Sequence, residues 1–177
     1  MEIVTKNQDF SNKATWNVRS LAGKANELIG EFKRENVDVL GITETKTKGS
    51  GEMKMEGDHL LIYKGVSGDS RSKEGVGCII NKKYKGYIST CIGETERILS
   101  VELKIEENVI IIVTYGPNED EITCEKDDYW EKLDFSIQDA KDKLIIIRDL
   151  NARVWKRDKE SSLMAGNQGE IVRNKNG

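Results

Sequence analysis

The sequence predicts a layered α/β sandwich, with helices outside and sheets inside. A strand–helix–strand unit occupies residues 13–43. A run of short apolar or alternating segments follows over residues 59–116. A second helical segment then leads into one more apolar strand at residues 143–152. The order β-α-β, antiparallel hairpins, then α-β fits neither a doubly wound sheet nor a barrel.

KATWNV (residues 13–18) reads as the first strand, since Trp and Val favour extended backbone. KANELIGEFKREN (residues 24–36) places Leu28, Ile29 and Phe32 on one helical face, with charges opposite. VDVLGIT (residues 37–43) is mostly apolar, as expected of a strand under a covering layer. This unit predicts two parallel or near-parallel neighbours in one sheet. Residues 45–57 are polar and Gly-rich, and read as a loop. Strands are expected at residues 59–65, 75–81, 84–90, 96–107 and 108–116, with Glu106, Glu107 and Asn108 turning between the last two. Val101, Leu103 and Ile105 alternate with Glu102, Lys104 and Glu106, a half-buried pattern. Residues 109–113 are apolar throughout and so more central. Residues 123–141 form the second helix, with Tyr129, Trp130, Leu133 and Ile137 assigned to its buried face. Beyond Asn151 the periodicity dissolves.

The 177 residues support one domain. It is expected over residues 13–177, with residues 1–12 as an N-terminal tail. The formal charge of −3 argues against a uniformly basic nucleic-acid coat. Residues 141–177 nevertheless carry nine basic and five acidic side chains, including RVWKRDK at residues 153–159. That run reads as a polyanion contact or a solvated loop. Within it, Trp155 suits either stacking on a base or capping the core. No apolar run approaches a membrane span, and residues 1–16 lack a signal-like core. Three cysteines without CxxC spacing read as reduced thiols of an intracellular protein, nuclear or cytoplasmic, with Cys78 a small buried hydrophobe. A single histidine excludes any site built on two imidazoles. No triad spacing surrounds it, at position 59.

Four apolar strands each run into polar chemistry: Trp16-Asn17-Val18-Arg19, Thr43-Glu44-Thr45-Lys46, Thr114-Tyr115-Gly116-Pro117-Asn118, and Arg148-Asp149-Leu150-Asn151. Strand ends are where α/β sheets meet ligands. Glu44, Asp149, Asn17 and Asn151 form an all-oxygen set, the chemistry of a hard cation such as Mg²⁺. Such a cation offsets charge building on phosphoryl oxygens. Tyr115 and the two Asn amides offer hydrogen bonds to the same oxygens. The structural alternatives are an Asx turn at Asn17, an ion pair from Glu44 to Lys46 or Arg19, and a simple loop start at Asp149. Arg97 reads as a brace for a carboxylate on an adjacent strand.

TWNVRSL (15–21), VLGITETK (39–46), GVGCII (75–80), ERILSVEL (96–103), VTYGPN (113–118) and RDLNARV (148–154) occur in the order found in the endonuclease/exonuclease/phosphatase superfamily. The sequence resembles most the endonuclease domains of non-LTR retrotransposons and craniofacial-development-protein-like proteins. The resemblance implies a four-layered α/β sandwich of two packed mixed sheets flanked by helices. It also implies hydrolysis of phosphodiester or phosphomonoester bonds with Mg²⁺, or Mn²⁺ in its place, and DNA as partner. Residue by residue, it places Asn17 near metal and phosphate and Glu44 on the metal. Tyr115 falls on the scissile phosphate, Asp149 at the nucleophile, and Asn151 on phosphate. Asn118 and Arg153 join Asn17 as expected substrate contacts.

Arg148 stands where the family usually has Gly, and Trp155 where its retroelement members have Gly. The family's later Asp and Ser-Asp-His segments find no match after Asn151. The resemblance therefore implies a C-terminally truncated domain with its second half incomplete. The intact parent is expected to be a DNA endonuclease, with activity lost or severely reduced in this chain, since positioned acid–base groups contribute about 10²–10⁴-fold. A catalytically inactive binding or structural module, or a phosphatase of the same superfamily, are the alternatives. An unpaired sheet edge near residues 144–147 is expected, and with it self-association.

Overall fold

The computed structural model describes residues 10–68 and 73–152, together with the backbone of residues 2–7. Strand β1 (Glu2–Asn7) pairs antiparallel with β2 (Phe10–Asn17). Residues 1–12 are therefore not simply a tail: β-branched Ile3, Val4 and Thr5 lie in a strand, and Phe10 is buried in the core. Helix α1 (Ala25–Arg34) follows, then β3 (Val39–Thr43). As the sequence predicts, β2 and β3 are parallel, in register from Lys13 opposite Val39 to Asn17 opposite Thr43. The helix buries Leu28, Ile29 and Phe32, each contributing about 1.5–3 kcal/mol. Glu27 in its first turn and Lys33 and Arg34 in its last complement the helix dipole. Asn36, with φ of 49°, takes the left-handed turn just beyond its end.

The Gly-rich segment is more than a loop. Strand β4 (Ser50–Lys54) lies within it and pairs antiparallel with β5 (Leu60–Lys64). Its side chains are mostly exposed, so backbone pairing at a sheet edge, not apolar patterning, holds it. Strand β6 (Val76–Ile80) completes a six-stranded sheet in the order β1-β2-β3-β6-β5-β4. Where a strand is expected from residue 84, the chain instead makes a 3-10 turn over Lys82–Tyr87. The Asn81 side chain caps that turn by accepting the Lys83 N–H at 3.3 Å.

The second sheet contains β7 (Ile88–Thr95), β8 (Ile98–Leu103), β9 (Val109–Tyr115) and β10 (Lys143–Asp149), in the order β10-β9-β8-β7. Helix α2 (Thr123–Asp139) links β9 to β10, which run parallel. Interior β9 carries the continuous apolar run, and β10 is an edge strand among the described residues. Helix α2 buries Tyr129, Leu133 and Ser136. Trp130 is 44% exposed, contrary to expectation, because its neighbour Tyr129 takes the sheet-facing position.

Three apolar clusters define four layers. One lies between the sheets and includes Val39, Ile62, Cys78, Leu99, Val101, Ile111, Val113 and Ile147. Another joins Leu28, Ile29 and Phe32 to Leu40, Ile42, Leu61 and Ile79 beneath α1. The third joins Tyr129 and Leu133 to Ile98 and Ile112 beneath α2. Strand alternation sorts Leu40 and Ile42 to the helix side and Val39 inward. The result is helix, sheet, sheet, helix. No helix among the described residues is long and apolar enough to cross a membrane.

Candidate active site

The two parallel pairs, β2–β3 and β9–β10, pack against one another with their carboxyl ends on the same side. Those ends carry Asn17, Thr43, Tyr115 and Asp149. Glu44 follows β3 with φ of 51°, and Asn151 follows β10 with φ of 49°. Arg19, Ser20 and Lys46, at the same strand ends, also have positive φ. Left-handed non-glycine backbone costs about 1–3 kcal/mol per residue and concentrates at functional sites. Here it turns the chain sharply out of β2, β3 and β10.

The Asn17 amide ties the sheets together. Its Nδ2 donates to Glu44 Oε1 at 2.7 Å and to Asp149 Oδ2 at 3.1 Å. Its Oδ1 accepts the Arg19 N–H at 3.2 Å, so the side chain makes an Asx turn and spans the site at once. The Tyr115 hydroxyl donates to Glu44 Oε1 at 3.3 Å. Tyr115 is 4% exposed, and burial pushes its phenol above the ordinary value, against hydrogen bonding from Asn151. It is therefore a protonated donor at neutral pH. Glu44 reaches Lys46 only at 3.9 Å, and Lys46 is largely solvated, so that ion pair is weak.

Asp149 accepts from three directions. Its Oδ2 takes Asn17 and, at 3.3 Å, the Thr43 hydroxyl, and its Oδ1 takes the Asn151 N–H at 3.2 Å. Thr43 was not among the expected site residues. It is fully buried at the end of an apolar strand, and nothing in the order of residues marks it as a neighbour of position 149. The Asn151 amide donates to Gly116 O at 2.8 Å, joining the loops after β9 and β10. Asn118 is exposed at the rim, where its amide donates to Glu121 at 3.0 Å.

Other expectations resolve differently. Arg148 neighbours Asp149 in sequence but projects from the opposite face of β10, as strand alternation demands. Leu144 and Leu150, in phase with it, pack beneath α2. The extra bulk at this position therefore stays out of the cleft. His59 lies next to the start of β5, near Ile80 and the opening residue of β3, at the opposite end of the sheet from Glu44. Its Nδ1 accepts the Lys82 N–H at 3.2 Å, a structural role. Arg153 and Trp155 lie outside the described residues, as does all of 153–177.

Among the described residues, no three His, Cys, Asp or Glu side chains gather as a metal cluster. The oxygens of Glu44 and Asp149, with Asn17 able to add only its Oδ1, nonetheless suit Mg²⁺, which keeps several waters and takes only one or two carboxylates from a protein.

The sequence profile of the endonuclease/exonuclease/phosphatase family matches residues 14–174. Craniofacial development protein 2 of Bos taurus is 34% identical over 148 residues, covering 81% of this chain and 24% of that protein. The chain thus spans about a quarter of the length of that relative. An AP endonuclease from Archaeoglobus fulgidus superposes with a TM-score of 0.57 at 20% identity, over 78% of this chain and 56% of that one. The endonuclease domain of TRAS1, a telomere-specific non-LTR retrotransposon, superposes with a TM-score of 0.50 at 15% identity, over 84% and 63%. These structures share the fold.

Proposed function

The chain belongs to the endonuclease/exonuclease/phosphatase family, and we propose that its strand-end cleft hydrolyses phosphodiester bonds of DNA with a divalent cation, Mg²⁺ or Mn²⁺. The observation that carries this reading is the Asn17 amide held between Glu44 and Asp149, carboxylates from different sheets. An amide that neutral, between two acids that near, leaves a site of net negative charge open to a hard cation.

Glu44 and Asn17 would hold the cation, which supplies electrostatic stabilisation of the phosphoryl oxygens. Asp149 is oriented by Thr43, Asn17 and its own Asx turn to position an attacking water. Tyr115 presents a buried hydroxyl proton to a phosphate oxygen once substrate displaces its contact to Glu44. Asn118 and Asn151 each give an amide proton to the protein scaffold and also hydrogen-bond toward the Tyr115 phenol, so they would meet a phosphate oxygen beside that hydroxyl. Arg153 completes the proposed phosphate contacts. Neighbours named as endonucleases support cleavage within a strand.

A second reading, DNA binding without hydrolysis, is favoured by His59, the chain's one imidazole, standing at the far end of the sheet. Nicking of supercoiled DNA with Mg²⁺, beside DNA-binding anisotropy, separates the two. Cleavage that needs Mg²⁺ and is lost in Asp149→Ala supports hydrolysis. Binding with no cleavage supports the second reading, and neither would end both. The edge position of β10 among the described residues supports self-association, which concentration-dependent sedimentation would test.

A further inference from the structure

Arg97 touches none of the polar atoms assigned to cation or nucleophile, yet it joins most of the loop that carries them. It precedes β8, beside the carboxyl end of β9, where its carbonyl accepts the Tyr115 N–H at 2.9 Å. Its guanidinium lies 5.3 Å from the Tyr115 ring centroid, within cation–π range. Nη1 donates to Gly116 O at 3.1 Å. Nη2 donates to both Glu121 oxygens at 2.9 Å and reaches Glu74 at 3.4 Å.

Two of these partners, Gly116 and Glu121, lead to further proposed site residues. Gly116 O also accepts the Asn151 amide at 2.8 Å, and the Gly116 N–H donates to Asp149 O at 2.7 Å. Glu121 Oε1 also accepts the backbone N–H and side-chain amide of Asn118, at 2.9 Å and 3.0 Å. One planar fork therefore fixes the Tyr115 ring, the Gly116 carbonyl and, through Glu121, the Asn118 turn. Only 12% of the Arg97 side chain is exposed, so it is a poor direct contact for substrate. A strand-to-strand ion pair alone needs neither the ring nor the carbonyl. Lysine, a point charge, cannot serve three directions at fixed angles.

We infer that Arg97 is a positioning residue that sets the Tyr115–Asn118 loop and, through Gly116, the Asn151 amide in register with Asp149. Its catalytic consequence rests on the phosphodiester reading above; its structural consequence does not.

The test compares the full chain with Arg97→Gln, Arg97→Lys and Glu121→Ala by ¹H–¹⁵N spectra and by nicking kinetics. In Arg97→Gln the Gly116 and Asn118 backbone amides and the Asn151 side-chain amide should shift, while Leu28 and Ile29 of α1 stay put. The kcat should fall about 100-fold, the usual penalty of an ångström-scale misplacement, with KM unchanged. Arg97→Lys should fall between. Glu121→Ala, which leaves the arginine in place, should move the Asn118 signals, and it carries the test if Arg97→Gln does not fold. Unmoved Gly116, Asn118 and Asn151 signals would overturn the inference. So would a rise in KM at constant kcat, which would make Arg97 a substrate contact. If the unaltered chain does not cleave DNA, the phosphodiester reading fails, while the spectra still decide the role of Arg97.

Discussion

Gly41 and Ile147 meet across the interface between the two sheets. A Cβ at position 41 would stand 2.5 Å from Ile147 Cγ2 and 3.2 Å from Val113 Cγ1. No side chain fits there. The missing one lets β3 approach β9 and β10 closely, at residues just ahead of Glu44, Tyr115 and Asp149. The spacing of the two carboxylates is therefore set by a glycine that touches neither.

Gly41→Val should destabilise the fold by about 1–3 kcal/mol, the usual cost of overpacking. It should also weaken Mn²⁺ binding by parting Glu44 from Asp149. Urea unfolding and a Mn²⁺ titration report the two effects, and an unchanged midpoint would contradict the packing argument.

Asn17→Ala removes the amide between the carboxylates without removing either. Since Asn17 is also a proposed cation ligand, the loss should be at least the about 10–100-fold in metal affinity that removing an orienting group typically costs. Electron paramagnetic resonance of free Mn²⁺ gives the constant. Affinity equal to that of the unaltered chain would show that Glu44 and Asp149 need no bridge.

Asp38 is 1% exposed. Its Oδ2 accepts the N–H of Ser11 at 2.9 Å and of Asn12 at 3.4 Å, while Oδ1 sits 2.5 Å from Lys83 Nζ as an ion pair. Lys83 is half exposed, so the backbone bonds are the firmer contribution. Asp38→Ala should cost about 1–3 kcal/mol by stranding the Ser11 backbone donor. A loss well below that in urea unfolding would show water replacing the carboxylate.

His59 provides a pH test. Burial holds its imidazole below the ordinary value of 6.5, with Lys33 and Lys82 adding in the same direction. The folded state therefore binds the proton less readily than the unfolded chain. The contribution to stability is whole above about pH 6.5, the unfolded value, and is lost as pH falls below it toward the folded value. Urea midpoints at pH 7.5 and 5.5 should differ less for His59→Asn than for the unaltered chain. Equal differences would place the acid sensitivity elsewhere.

Much of this was legible in residue order. Leu28, Ile29 and Phe32 announced the first helix because burial of one face requires that spacing. Residues 109–113 announced an interior strand because both faces of β9 are covered. Strand β4 was not legible, because an exposed edge strand is held by backbone bonds that any polar sequence can make. Asn17, Glu44, Tyr115 and Asp149 stood out as polar groups ending apolar runs, and the structure brings all four together. Thr43 stayed hidden, because a small hydroxyl closing an apolar strand reads as part of that strand, and it meets Asp149 only once the sheets dock.

Residue order by itself determined the layers, the first parallel strand pair and the polar identity of the strand ends. These follow from local periodicity, which depends only on near neighbours. Only the tertiary structure decided that the Asn17 amide would bridge Glu44 and Asp149, that Arg148 would turn away from the cleft, and that Gly41 would set the gap. Those outcomes depend on how two sheets dock, and docking is settled by side-chain volume at contacts distant in sequence.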